Sequence, residues 1–172
     1  MIGVLALQGN FTKHIELLKR LGISSSEVRY PYQLNDIDGL VLPGGESSVI
    51  SDLIVRNDLL EPIVEFSRFK PILATCAGII LMSKKTNDSR VISLGIFDIE
   101  INRNAYGRQI HSFVDTVRVE LNGTTSSVVA SFIRAPKIAK LGNDIEVLAT
   151  HNGIPVAIRN NRHIGLTFHP EL

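Results

Sequence analysis

Three short, unbroken apolar runs limit this chain more than anything else in it. They are residues 2–7 (Ile-Gly-Val-Leu-Ala-Leu), residues 39–42 (Gly-Leu-Val-Leu) and the run Ile72-Leu73-Ala74 that follows Pro71. A strand with one wet face alternates polar and apolar residues, so a continuous apolar run of this length reads as a strand buried on both faces. Helical periodicity fills the gaps between them. Asn10 is placed to cap a helix whose apolar positions Phe11, Ile15, Leu18 and Leu21 recur every three to four residues, and Gly22 stops it. Residues 27–30 read as another strand and residues 31–38 as a connecting loop. Ser47 or Ser48 can cap a helix carrying Val49, Ile50, Leu53 and Ile54; Asp58 can cap one carrying Leu59, Leu60, Ile63, Val64 and Phe66. The run at Ile72 leads into a helix reaching about Lys84. Strands alternating with helices require a parallel sheet covered on both faces. The expected fold is α/β, a three-layer sandwich with a mainly parallel central sheet.

From residue 91 to 168 the pattern changes. Strand-like stretches at 96–101, 114–121, 128–133, 145–149, 156–159 and 164–168 are separated by turn residues such as Asn122-Gly123, Asn152-Gly153 and Asn160-Asn161. No long amphipathic helix is expected in this β-rich second half, whose strands and hairpins should extend the sheet. No repeat, linker or low-complexity tract divides the 172 residues, so one domain spanning 1–172 is expected.

Charge excludes some functions. With 18 basic and 17 acidic residues the formal net charge is +1, which does not provide the clustered Lys and Arg that phosphate backbones require. No nucleic-acid partner is expected. No apolar stretch approaches the length of a membrane span, and the N-terminal segment lacks the basic flank of a secretory signal. A single cysteine, Cys76, excludes an intrachain disulfide and fits a reducing compartment, so the expected location is cytoplasmic. No His/Cys/Asp/Glu group has metal-ligand spacing and no Gly-rich nucleotide motif is present; neither metal nor cofactor is expected.

The candidate chemistry begins at Cys76, which sits where a buried strand turns into a helix. Its neighbours two residues away are Ala74 and Gly78, giving A-x-C-x-G, a thiol analogue of the G-x-S-x-G elbow on which a nucleophile is exposed by a sharp turn. The sequence ends Phe168-His169-Pro170-Glu171-Leu172. Pro170 biases His169 towards extended backbone, where residues two apart share a side, so Glu171 can orient the imidazole of His169. A thiol nucleophile needs such a base and orienter. On spacing alone His14, His111, His151 and His163 compete with His169 for the base. The third element is Leu42-Pro43-Gly44-Gly45-Glu46-Ser47-Ser48, a strand end passing through two glycines into a helix N-terminus. Such a loop brings backbone N–H groups close to a ligand and suits an oxyanion or a carboxylate. It also follows the carboxyl end of a parallel strand, where open α/β sheets bind their ligands.

Taken together these segments resemble the class I (triad) glutamine amidotransferases, and more closely the glutaminase subunits of two-component pyridoxal 5'-phosphate synthases. The resemblance runs from Gly3 to Leu172. It is carried by Gly3-Val4-Leu5-Ala6-Leu7-Gln8-Gly9, by the Gly-Gly, Cys76 and His-Pro-Glu segments, and by Arg103-Asn104-Ala105-Tyr106-Gly107-Arg108-Gln109, Phe132-Ile133-Arg134-Ala135-Pro136 and His151-Asn152-Gly153. The Gly-Gly, Cys and His-Pro-Glu motifs are general to triad glutaminases; the two arginine-bearing segments select the subfamily. The resemblance implies a flavodoxin-like class I amidotransferase fold and a triad of Cys76, His169 and Glu171. Gly45, Glu46 and Ser47, with Arg103, Ile133 and Arg134, would hold L-glutamine, and the backbone of Gly45 and Ala77 would form the oxyanion hole. Arg103 and Arg134 suit the charge-assisted bonds that a free amino acid's carboxylate needs, and Glu46 offers a carboxylate for its ammonium.

By the same resemblance the chain would hydrolyse L-glutamine to L-glutamate and ammonia. It would deliver the ammonia to a β/α-barrel synthase subunit in a hetero-oligomer, with pyridoxal 5'-phosphate as the partner's product. Alternatives are the glutaminase of another pathway, such as imidazole glycerol phosphate synthase, a weakly catalytic binding module of the same fold, or a thiol peptidase or stress-response protein. Two departures from the family pattern stand out. Ala74 occupies a position that is usually glycine, and the sequence stops at Leu172 where relatives continue into a helix. The latter implies either a shortened chain or a triad held less firmly.

Overall fold

The structure is a computed structural model and describes residues 1–103 and 112–172. The three apolar runs form β1 (Ile2–Leu5), β3 (Gly39–Leu42) and β4 (Ile72–Thr75). All are buried almost throughout, as their unbroken apolar character requires. With β2 (Ser25–Val28) they pair in parallel: β1 lies between β2 and β3, and β3 pairs β4. On the far side of β4 the sheet continues through β12 (His163–Leu166), parallel to β4, and then antiparallel through β11 (Ile154–Asn160) and β10 (Glu146–His151). The described order is therefore β10-β11-β12-β4-β3-β1-β2.

Four helices connect the first half: α1 (Phe11–Arg20), α2 (Ser47–Arg56), α3 (Leu60–Phe69) and α4 (Ala77–Met82). A tight helical turn, Pro31–Leu34, lies within the connection between β2 and β3. Helix α2 is capped by Glu46, whose carboxylate accepts the Ser48 N–H, so the expected serine cap is displaced by one residue. Asp58, at φ 54°, precedes the N-cap of α3, which is Leu59. In α1 the buried residue is His14, while Leu21, one of its four expected apolar positions, is 64% exposed.

The remaining strands do not all extend the central sheet. β5 (Ser83–Thr86), β6 (Phe97–Asn102) and β9 (Lys137–Leu141) form one small sheet; β7 (Phe113–Leu121) and β8 (Thr124–Phe132) form a long hairpin. The helix expected to reach Lys84 stops at Met82, and the chain continues directly into β5. Two apolar clusters result. The larger one joins the helices to the parallel strands through Leu42, Ile50, Ile63, Ile79 and Phe97. The second gathers Phe132, Leu148, Val156 and Phe168 beneath the hairpin. Among the described residues no helix is long and apolar enough to cross a membrane.

Candidate functional site

The site forms at the carboxyl ends of β1, β3 and β4. Between β4 and α4 the backbone at Cys76 adopts φ 48° and ψ −102°, a conformation that costs an L-residue roughly 1–3 kcal/mol. Two contacts hold it there. The Cys76 N–H donates to the Leu166 carbonyl at 2.9 Å, fixing the turn to β12. On the other side, a Cβ on Gly78 would lie 2.2 Å from the backbone oxygen of Leu42, so only glycine lets α4 start this close to β3. Ala74 sits one turn of pleat earlier, inside β4 between Leu42 and Gly165, with its methyl fully buried. The sharp turn is therefore made at Cys76, beyond Ala74.

Gly44 presses directly against this elbow. A Cβ there would fall 2.3 Å from Cε1 of His169 and 3.2 Å from Cβ of Cys76, which shows how closely the loop, imidazole and thiol converge. The Gly44 carbonyl accepts the Asn10 N–H at 2.9 Å. Peptide planarity then directs the Gly45 N–H away from Asn10. Ala77 is the first residue of α4, so its N–H has no acceptor within the helix.

His169 and Glu171 come from the last segment of the chain. The His169 N–H donates to the Ser131 carbonyl at 2.9 Å, and Thr167 bonds to Val156 at 2.9 Å, so β8 and β11 both grip this segment. His169 Nδ1 donates to Glu171 Oε1 at 2.7 Å. Both side chains are nearly inaccessible, at 5% and 0% exposure. Burial alone would lower the His169 pKa. Hydrogen bonding and charge from Cys76 and Glu171 outweigh it and raise the imidazole to about 10. Burial would likewise raise Glu171, but the imidazole it accepts from, with His14 beyond, holds it below the usual carboxylate range. Both shifts favour an imidazolium paired with a carboxylate, on a ring whose Nδ1–Cε1 edge lies against Gly44 and which also interacts with the Cys76 side chain.

Gly45, Glu46, Ser47, Arg103, Ile133 and Arg134 line one cleft of about 430 Å³ together with Cys76, Ala77 and His169. Glu171 stands behind His169 rather than in the cleft. Arg103 donates to the carboxylates of Glu46 and Asp88, while Glu46 also accepts the Ser48 hydroxyl at 2.9 Å. Burial works to raise Glu46, yet the Ser48 and Arg103 bonds lower it. Hydrogen bonding from Arg90, then from Arg103, pulls Asp88 well below the ordinary range. The Ile133 carbonyl lies 3.9 Å from the Cys76 sulfur, and Arg134, at φ 45°, is an exposed residue of the cleft lining beside it. The Ser47 hydroxyl is buried with no hydrogen-bond partner among the described residues. Residues 104–109, the rest of the Arg-Asn-Ala-Tyr-Gly-Arg-Gln run, and His111 lie outside the described residues.

The competing histidines have other surroundings. His163 is buried and its Nδ1 accepts the Ile72 N–H at 3.1 Å; burial, then Arg162, lowers its pKa. His151 donates to Asp115 at 2.8 Å and lies against the rings of Phe113 and Phe132. His14 sits behind Glu171. Gln8 and Asp88 are contributors that sequence reasoning did not assign. Gln8 Oε1 accepts the Glu46 N–H at 2.9 Å, holding the Gly-Gly loop to the end of β1. Its place just past a parallel strand is the signal that marks it. Asp88 carries no such signal.

Residues 4–172 match the SNO glutamine amidotransferase family. The chain belongs to this family. It is 45% identical over 175 residues to the pyridoxal 5'-phosphate synthase subunit PdxT of Solibacter usitatus, covering 99% of this chain and 91% of that one. It is 42% identical over 172 residues, at the same coverages, to the PdxT subunit of Thermotoga petrophila. A solved glutamine amidotransferase superposes with a TM-score of 0.92 at 38% identity, covering 99% of this chain and 90% of that one. The Thermotoga maritima PurLQS structure, at 18% identity and a TM-score of 0.74, covers 99% of this chain and 86% of its own, and shares the fold. The family assignment therefore accords with the parallel sheet, the elbow and the β-rich second half described above.

Proposed function

We propose that this member of the amidotransferase family is the glutaminase subunit of a two-component pyridoxal 5'-phosphate synthase. It hydrolyses L-glutamine to L-glutamate and ammonia and passes the ammonia to a β/α-barrel synthase subunit. We read residues 1–172 as one glutaminase domain, and its single free cysteine as that of a cytoplasmic enzyme. The PdxT relatives support the pathway. The observation that carries the chemistry is the buried His169–Glu171 hydrogen bond, on a ring whose Nδ1–Cε1 edge packs against Gly44 and which lines the same cleft as Cys76.

In this reading the Cys76 sulfur attacks the side-chain amide carbon of glutamine, and the carbonyl oxygen becomes an oxyanion. The N–H groups of Gly45 and Ala77 receive that charge, each donor being worth roughly 3 kcal/mol. The His169 imidazolium gives its proton to the amide nitrogen; the C–N bond breaks and ammonia leaves. Water then adds to the thioester carbon as His169 takes its proton, and glutamate departs with the thiolate restored. Glu171 keeps the ring facing the sulfur. Arg103 and Arg134 hold the substrate α-carboxylate, and Glu46 and Ser47 receive its ammonium.

The test is glutamate release by the purified chain with and without the barrel synthase encoded in the same genome. Turnover that appears or rises on adding the synthase, with nitrogen transferred to its product, is expected. Stable association of the two subunits with no glutamate released would overturn the reading. A second expectation arises from Gly44. Gly44→Ala forces the His169 ring off the sulfur, and misplacement by about 1 Å costs about a hundredfold in rate. The unfolding midpoint should fall too, because the buried ring must shift to admit the methyl, so turnover is compared per folded enzyme. Turnover within threefold of the parent would mean that the ring is not the base.

A further inference from the structure

His14 is a buried ionisable group for which the reaction just described has no use. It is the buried residue of α1, 3% exposed, on a helix whose other faces carry Lys13, Glu16, Lys19 and Arg20. Its Nε2 lies 3.1 Å from Thr75 Oγ1 and 3.4 Å from Glu171 Oε2. Thr75 is fully buried and immediately precedes Cys76. Glu171 Oε2, the oxygen that His169 does not use, is buried and makes no hydrogen bond among the described residues, so it meets His14 Nε2 as a charge contact. One ring nitrogen therefore reaches both the strand that carries the thiol and the carboxylate that orients the base.

The protonation of that nitrogen follows from its neighbours. An ionised carboxylate only accepts, so a bare Nε2 lone pair facing Glu171 Oε2 would be repelled; the proton belongs on Nε2, where it is donated to Thr75 Oγ1 and turns its positive end towards the carboxylate. Burial lowers the His14 pKa; Glu171 opposes this and the nearby His169 reinforces it, leaving the ring neutral. A neutral donor suits the place, since a second cation would compete with His169 for the carboxylate.

We infer that His14 is a positioning residue for the proposed glutaminase reaction. Its Nε2–H, anchored on the Thr75 hydroxyl, sets a positive edge of α1 against the outer oxygen of Glu171 and so biases the carboxylate plane in which His169 Nδ1 donates. His14 touches neither glutamine nor the thiol; it is absent from the residues lining the cleft. Outer partners of this type are typically worth ten- to a hundredfold in activity in metal sites, and the same logic of orientation applies here.

The inference rests on the glutaminase reading, and the experiment separates the two. His14→Leu, His14→Gln and His14→Asn are compared with the parent in complex with the barrel synthase, as glutamate release per folded enzyme. Leu removes the donor, Gln places an amide N–H near Nε2, and Asn places one too short to reach Glu171. The Leu and Asn variants should lose about tenfold or more in kcat with KM for glutamine within twofold, and Gln should recover most of the loss. In parallel, the strongly deshielded proton between His169 and Glu171 is followed by NMR in the isolated chain, and should persist in Gln while broadening or moving in Leu and Asn. If Leu does not fold, the Gln–Asn contrast carries the test. Equal kcat in Gln and Asn, or an unchanged proton resonance in all variants, would overturn the inference. Absence of turnover in the parent complex would instead count against the glutaminase reading, with the NMR comparison still deciding the contact.

Discussion

Cys76→Ala should abolish glutamine turnover, by about ten-thousand-fold or more, while leaving the chain folded and bound to its synthase partner. Removal of the nucleophile from a concerted set costs nearly as much as removal of the whole set. The buried thiol contributes little packing that a methyl does not replace, so stability should change by less than about 1 kcal/mol. A companion variant tests the geometry of the elbow. At φ 48° the position is strained for any residue with a Cβ. Cys76→Gly should therefore be equally inactive yet more stable than Cys76→Ala by about 1 kcal/mol, although glycine normally lowers stability. Urea unfolding of the two variants gives the comparison. Turnover retained by Cys76→Ala would remove the nucleophile assignment, and a glycine variant less stable than the alanine one would remove the strain argument.

Glu171→Gln should have the second largest effect, and its signature is a pH dependence. The folded-state pKa of His169 is raised from 6.5 to about 10. Its contribution to stability is therefore complete below pH 6.5 and lost as the pH rises towards 10. Glu171 is depressed below the ordinary 4.5 of a glutamate, so its contribution is complete above that value and lost as the pH falls below it. Together the pair stabilises the fold most between about pH 4.5 and 6.5. Substituting Gln removes one of the two groups that hold the imidazole charged and leaves Cys76 as the other, so the cost should approach but not exceed the about 3–5 kcal/mol of a broken buried pair. The parent-minus-variant difference in unfolding free energy should be largest near pH 5.5 and shrink by pH 9.5. A difference that stays flat across this range would show that the two groups are not an ion pair. Turnover should fall as well, because the ring loses the group that holds its Nδ1–H in place.

Several of these groups were legible in the sequence for a plain reason. β1, β3 and β4 are buried on both faces, and burial on both faces writes itself as an uninterrupted apolar run. Their carboxyl ends then place Gln8, Gly44-Gly45 and Cys76 side by side without further information. The peripheral strands have no such mark. β5 is Ser-Lys-Lys-Thr and β9 carries two lysines among its five residues, the composition of edges that must stay wet. Adjoining the apolar run of α4, the first of them reads as a continuation of the helix. The helix α1 forms where its spacing places it, but its most buried residue is not among the apolar ones for a related reason. Its spacing pointed to four apolar residues, whereas the element it packs against supplies a carboxylate, Glu171, from the other end of the chain. No local pattern encodes a polar partner that distant, so His14 looked like one more competing base.

The grip of β8 on the last segment has a mechanical consequence. Ser131 holds the His169 amide, and Ile133, two residues on, presents its carbonyl to the Cys76 sulfur. Ser131 lies within β8, whereas Ile133 lies just past its end, where the strand gives way to a bend. Phe132, between them, is wedged among Phe113, Phe168 and His151. Base and thiol are thus both fastened to the end of one strand, through residues on either side of a phenylalanine whose ring contacts keep that end from sliding.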